Sequence, residues 1–327
     1  MITEGNRIKN KNSRKKRVIF PVLTIFLVLG VVLYVLLREE EYVYTSGQPM
    51  EMDYSWVEDT HSVCHAFGGI GEYTYTNSLE AFELNYAAGH RVFEVDFMLT
   101  SDNIVVAGHD WNTFYQFTNR TLAEGQEATP LTLEEFQASR IFGQFTPLTW
   151  MDIAKLMQEY PDIYIVTDTK HVTDPMITDT FSQFVKEAKE LESGLFHRIK
   201  SVVKGEDSIL DRIIPQIYNN EMYDLIYTLY PWKSVIYTLY NQTVEEFTYE
   251  NVYDFVSTRN IKVITTFPAR ADEEFLGKIH DLEGYVYLHT FNEAEKIEPL
   301  IEQYGIQGVY TDYLTPGLLA EYFTAER

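Results

Sequence analysis

Arg91-Val92-Phe93-Glu94-Val95-Asp96-Phe97 is the stretch on which the reading of this chain turns. Successive side chains of a strand point to opposite faces, so Phe93, Val95 and Phe97 share one side and Glu94 and Asp96 the other. Two carboxylates so placed lie about 7 Å apart along a strand. Side by side at a barrel mouth they repel unless a cation or a proton compensates them. Carboxylate oxygens suit a hard divalent cation, Mg²⁺ or Ca²⁺. Taken alone, the pair also fits an edge strand with a solvated acidic face.

The neighbouring apolar runs end in polar residues too. His65 closes Ser62-Val63-Cys64-His65, and His109 closes Ile104-Val105-Val106-Ala107-Gly108-His109. Asp168 and Lys170 follow Ile163-Tyr164-Ile165-Val166-Thr167. Further candidate strands are 212–218, 234–240, 262–267, 285–290 and 308–311. Helical patterns lie between many of them, including 77–88 behind an Asn77 cap, 179–191 and 293–304. Strand–helix alternation over residues 61–323 predicts an α/β fold, a (β/α)8 TIM-type barrel. Nine candidates compete for eight places, and Lys262–Phe267 is the expected surplus. In such a barrel the C-terminal strand ends form the catalytic face, so two histidines, three acids and a lysine converge on one rim.

Of the 327 residues, 45% are hydrophobic, which excludes a disordered polyelectrolyte. The lone cysteine, Cys64, excludes a disulfide-built scaffold, and beside His65 it reads as a small buried strand residue. Twenty-six Lys and Arg against 49 Asp and Glu give a net charge of −23, which argues against nucleic-acid binding. The basic charge is concentrated at the front: residues 1–17 hold Arg7, Lys9, Lys11, Arg14, Lys15, Lys16 and Arg17 against Glu4 alone. Residues 18–37, VIFPVLTIFLVLGVVLYVLL, carry no charge and are long enough for a helix across the roughly 30 Å hydrocarbon core. The run exceeds a signal peptide's apolar core and no small-x-small cleavage site follows, so an uncleaved single-pass transmembrane anchor is expected. The positive-inside rule then keeps the basic head cytoplasmic and places the acidic body outside the cell. Residues 38–60 read as a juxtamembrane spacer.

From residue 61 onward the motifs resemble those of the glycerophosphodiester phosphodiesterase family, within the phospholipase-C-like phosphodiesterase barrels. His65-Ala66-Phe67-Gly68-Gly69 is similar to the family's His-Arg-Gly opening, and Thr76-Asn77-Ser78-Leu79-Glu80-Ala81-Phe82 to its Glu-Asn-Thr-Leu helix start. Glu94-Val95-Asp96 matches the Glu-Leu-Asp metal strand, and Leu99-Thr100-Ser101-Asp102-Asn103 the following turn. Val105-Val106-Ala107-Gly108-His109-Asp110 resembles Val-Val-x-His-Asp with one extra residue, and Asp168-Thr169-Lys170 resembles Glu-x-Lys. His289-Thr290-Phe291-Asn292 and Gly308-Val309-Tyr310-Thr311-Asp312 resemble the closing Trp-Thr-x-Asn and Gly-x-x-Thr-Asp signatures. Ala66, Thr76 and Asp168 depart from it: the phosphate-holding Arg, the Glu of Glu-Asn-Thr and the longer third acid are replaced. Asp-x-Lys is similar to sphingomyelinase-D-type relatives.

The resemblance implies a divalent cation, Mg²⁺ or Ca²⁺, held by Glu94, Asp96 and Asp168, with Lys170 as a second positive charge. It implies His65 and His109 as the general acid/base pair and a hydroxyl of the substrate attacking first to give a cyclic phosphate. The expected substrate is a phosphodiester near the membrane: a glycerophosphodiester, a lipid head group or a glycerol-phosphate polymer. A lyase that stops at the cyclic product, and a non-catalytic binding barrel, are the alternatives. His289 is read as a substrate contact or a structural residue, and Trp111, Phe114, Tyr115 and Phe117 as a substrate wall or a packed loop. The tyrosines between 223 and 240 read as core.

Overall fold

A computed structural model describes residue 30 and residues 42–194, 207–240 and 248–323. The β-branched and aromatic runs form nine strands: β1 (Ser62–Cys64), β2 (Val92–Leu99), β3 (Val105–Ala107), β4 (Tyr164–Thr169), β5 (Ile213–Ile217), β6 (Ile236–Thr238), β7 (Val263–Thr266), β8 (Tyr285–Leu288) and β9 (Gly308–Thr311). Eight of them, all but β3, pair in parallel, and β1 bonds to both β9 and β2, which closes the ring. Helices such as Leu79–Ala87, Trp150–Glu159 and Met176–Glu192 lie between successive strands and cover the outside. The expected (β/α)8 TIM-type barrel is therefore the architecture.

The surplus strand is not Lys262–Phe267. Within it, Val263–Thr266 is a full member of the ring, paired with β6 on one side and β8 on the other. The extra strand is β3, which runs antiparallel to the last residues of β2, Phe97 to Leu99. Residues 100–104 are too few for a parallel crossover, which needs about a dozen, but enough for a hairpin. Asn103 turns the chain at φ 62°, a conformation asparagine tolerates better than most residues. β2 thus overruns the barrel, and β3 brings the chain back down to the rim, where the Gly108 N–H donates to the Asp96 carbonyl at 2.9 Å.

The barrel interior is filled from below by Val63, Val92, Val166, Ile214, Ile236, Val263, Tyr287 and Tyr310, and closed by Trp56 and Val57. Residues 42–60, part of the expected spacer, are thus folded onto the barrel. Tyr42 donates to the Tyr227 carbonyl at 2.8 Å, Tyr44 and Ser46 donate to the Asp224 carboxylate at 2.6 and 2.9 Å, and Trp56 Nε1 donates to Ser234 Oγ at 2.9 Å. The segment lacks periodicity because, apart from one 3-10 turn at Ser55–Val57, it docks through isolated large side chains. Among the described residues no helix is long and apolar enough to cross a membrane. The expected span at 18–37 lies outside them except for Gly30, as does the basic head.

Two other readings are refined. Ser78, not Asn77, caps the helix Leu79–Ala87 by accepting from the Ala81 N–H. Phe114 stacks on Phe136 at 4.8 Å and Phe117 packs on Phe142 at 4.4 Å, so these aromatics belong to a small satellite core above the barrel.

Burial makes Trp56 the closing stone of the barrel. Trp56→Ala is expected to lower unfolding free energy by about 3–5 kcal/mol, the usual cost of deleting a buried Trp side chain, as read from the urea midpoint.

Candidate active site

All eight side chains of β2 are buried, as a strand between a barrel interior and an outer helical layer requires. Alternation sends Glu94 and Asp96 inward, and the register places Asp96 beside Asp168 of β4. Glu94, Asp96 and Asp168 each offer an oxygen within 4.8 Å of the others. Glu94 and Asp96 are 1% exposed and Asp168 is 7% exposed, so their repulsion is not relieved by water.

The surroundings relieve it in part. Lys170 Nζ lies 2.6 Å from Asp96 Oδ1 and 2.7 Å from Asp168 Oδ2. Asn77, in a left-handed conformation at φ 47°, donates from Nδ2 to Asp96 Oδ2 at 2.8 Å and accepts the Asp96 N–H at 3.1 Å. The Ala66 N–H donates to Glu94 Oε2 at 2.7 Å, whereas Glu94 Oε1 is buried with no hydrogen-bond partner among the described residues. The hydroxyls of Tyr218 and Tyr240 both donate to Asp168. Burial and the nearby charge of Asp96 push Glu94 above the ordinary carboxylate range. Burial opposes ionisation of Asp96 as well, but Lys170, His109 and His65 hold it below that range.

His65 ends β1, and closure of the ring brings it to Asp312, which follows β9. Its Nδ1 lies 2.8 Å from Asp312 Oδ1, and its Nε2 faces Glu94 Oε2 at 4.0 Å. Asn292 holds the other Asp312 oxygen at 2.7 Å. Burial disfavours the imidazolium, but the Asp312 hydrogen bond and the charges of Glu94, Asp312 and Asp96 outweigh it and push His65 up to about 9. His109 descends on β3, half-exposed, with Nδ1 2.6 Å from Asp110 Oδ2. Between the two imidazoles stands the ring of Tyr75, edge-on to each, with centroids 4.6 Å from His65 and 5.4 Å from His109. His289 stacks on Tyr310 at 3.8 Å, and burial holds it neutral, well below its ordinary value.

The structure therefore gathers Glu94, Asp96, Asp168, Lys170 and His65 directly, and places His109 against the same cluster through Tyr75. Sequence reasoning gave no site role to Asp312, Tyr218 or Tyr75, and it read Tyr240 as core. Asp312 and Tyr218 follow β9 and β5, the neighbours of β1 and β4, so ring closure was the available signal. Four carboxylates (Glu94, Asp96, Asp168 and Asp312) meet two cationic groups, Lys170 and protonated His65. Acids outnumber bases there, the donors are all oxygens, and one is a buried orphan among the described residues: the set fits a hard divalent cation.

The sequence matches the Glycerophosphoryl diester phosphodiesterase family over residues 68–315. Solved structures share the fold. One is a Silicibacter pomeroyi DSS-3 protein assigned as a glycerophosphoryl diester phosphodiesterase: TM-score 0.59, 17% identity, over 85% of this chain and 95% of that one. A second is an Oleispira antarctica phosphodiesterase in complex with the product sn-glycerol-3-phosphate: TM-score 0.56, 16% identity, over 80% and 96%. A third is a Parabacteroides distasonis glycerophosphodiester phosphodiesterase: TM-score 0.56, 16% identity, over 81% and 97%. No curated protein sequence is significantly similar. The fold and the family match define the class, a phosphoric diester hydrolase. The chain belongs to the glycerophosphoryl diester phosphodiesterase family.

A raised histidine pKa stabilises the fold only while the folded ring keeps its proton. For cation-free protein, the His65 contribution is complete below its unfolded value of 6.5, erodes as pH rises, and is gone once pH passes about 9. Asp312→Asn should flatten that loss in unfolding free energies measured from pH 6 to 10.

Proposed function

We propose that the chain is a membrane-anchored, cation-dependent phosphodiesterase that cleaves glycerophosphodiester-type bonds outside the cytoplasm. The observation that carries the catalytic reading is the convergence of three buried acids on one point, with Lys170 and His65 at its edge. Glu94, Asp96 and Asp168 would hold the cation, Mg²⁺ or Ca²⁺. Bound there, such an ion supplies Lewis acidity toward a non-bridging phosphate oxygen.

The chain's own groups account for binding and proton transfer. The body is acidic, so long-range charge repels an anionic diester and attraction must be local. Lys170 provides it, at the edge of the acid cluster. His65 has Nδ1 committed to Asp312 and moves a proton at Nε2. His109 has Nδ1 committed to Asp110 and likewise works at Nε2. One imidazole takes the proton of the attacking hydroxyl and the other protonates the leaving oxygen. Asp312 resists tilting of His65, and Tyr218 and Tyr240 fix the orientation of Asp168 by donating one to each of its oxygens.

The anchor at 18–37, with the basic head 1–17 in the cytoplasm, would hold the enzyme at the bilayer and raise its effective concentration toward membrane-proximal substrates, lipid head groups or glycerol-phosphate polymers. A second reading, a lyase that releases a cyclic phosphate, draws support from Asp168 in place of Glu.

The test is hydrolysis of a glycerophosphodiester panel by the full chain in detergent, with Mg²⁺ or Ca²⁺. Activity should vanish on chelation, and His65→Ala should lower kcat by about 10²–10⁴-fold, the usual contribution of a general acid or base. Full activity in either sample contradicts the proposal. Phosphorus NMR of the product separates the two readings: a phosphomonoester marks the hydrolase, a persistent cyclic phosphate the lyase.

A further inference from the structure

Tyr75 sits in the left-handed region at φ 60°, which is uncommon for a bulky residue, and yet its ring stands between the two imidazoles. Its position is built from both sides. Two residues before it, Tyr73 exchanges backbone hydrogen bonds with Ile70 at 2.9 and 3.1 Å. The Tyr73 ring packs on Phe142 at 4.4 Å and Phe145 at 5.5 Å, in the satellite core. One and two residues after it, Thr76 and Asn77 are buried, Thr76 Oγ1 bonded to Ser78 at 2.9 Å and Asn77 tied to Asp96. The loop that carries Tyr75 is thus clamped between the satellite core and an acid of the site.

Tyr75 is exposed at the mouth of the site, and its hydroxyl has no hydrogen-bond partner among the described residues, so it is open to a molecule entering there. Burial, then the negative charge of Asp312, Asp96 and Glu94, raises its pKa, partly offset by Lys170. The phenol therefore lies within the field of the acid cluster and keeps its proton. Nearby, Ala66 supplies no side-chain donor to this rim. A phenol whose ring touches both proton-transfer groups and whose hydroxyl has no partner among the described residues is positioned for the bound molecule.

We propose that Tyr75 is a substrate-contacting residue, whose ring sets the spacing of His65 and His109 and whose hydroxyl donates a hydrogen bond to the anionic phosphodiester. This rests on the phosphodiesterase reading of the site. Phenol-to-phosphate donation supplies, without adding charge, part of the local attraction that an acidic body requires, and it gives the loop's left-handed geometry a function.

The test compares Tyr75→Phe and Tyr75→Ala with the wild type, all as full chains in detergent with Mg²⁺. Tyr75→Phe should lower kcat/KM on glycerophosphodiesters by about 10–100-fold, as loss of a hydrogen bond to a charged group predicts, and weaken glycerol 3-phosphate binding by a similar factor in calorimetry. Its melting temperature and Mg²⁺ affinity should match the wild type, which separates contact from scaffolding. Tyr75→Ala should lose at least as much activity and shift the pH–rate profile, because both imidazoles lose their shared neighbour. If Tyr75→Phe stays within about twofold of an active wild type in both kcat/KM and glycerol 3-phosphate affinity, the contact is overturned and the phosphodiesterase reading stands. Equal losses in Mg²⁺ affinity or melting temperature also overturn it, in favour of a structural role. A wild type that cleaves no diester overturns the phosphodiesterase reading. Glycerol 3-phosphate binding then decides Tyr75 by itself, and a wild type that does not bind it overturns both.

Discussion

Three carboxylates buried within 4.8 Å of one another at a barrel mouth constrain everything around them. Charges taken out of water are tolerated only when paired or hydrogen-bonded, and removing one partner of such a set typically costs about 3–5 kcal/mol. Each neighbour here answers that demand. Lys170 reaches across from β4 to Asp96, Asn77 abandons a helix cap to hold the same acid, and the turn after His65 adopts left-handed geometry at Ala66 and Phe67. The backbone N–H of Ala66 thereby reaches Glu94. Asn85 secures that turn from outside, donating to the carbonyls of Phe67 and Gly69 at 3.0 and 3.1 Å.

Ring closure turns these local arrangements into a catalytic geometry. His65 and Asp312 lie 247 positions apart in the chain, and only the pairing of β1 with β9 brings them within hydrogen-bonding distance. The plug of Trp56 and Val57 beneath the barrel ties into the same side from the other end, since Gln307, just before β9, donates to the Val57 carbonyl at 2.9 Å. His109 arrives by a different route, on a hairpin that overshoots the rim and returns. One imidazole therefore belongs to the rigid ring and the other to an extension resting on the satellite core.

Much of this was legible in the sequence. Alternation alone put Glu94 and Asp96 on one face, and strand-end placement gathered Asp168, Lys170 and His65. The surplus strand was misplaced because the runs at 104–109 and 262–267 are equally apolar, and composition cannot distinguish a ring member from a hairpin arm. The five-residue connection at 100–104 carried that information. Tyr75 was hidden because its position depends on backbone conformation and on aromatic packing from Phe142 and Phe145, about 70 residues away in the chain. Tyr240 was absorbed into a tyrosine-rich stretch that is otherwise core: Tyr223, Tyr227 and Tyr237 are buried. Only its place just beyond the end of β6 sets it apart.

The surplus of acids over bases in the site is the most direct point of attack. Calorimetric titration of Mg²⁺ or Ca²⁺ into the full chain in detergent should show a single ion per chain, with the heat lost in Glu94→Gln and in Asp96→Asn. A wild type that takes up no ion, or variants that bind it as tightly as the wild type, would contradict the account.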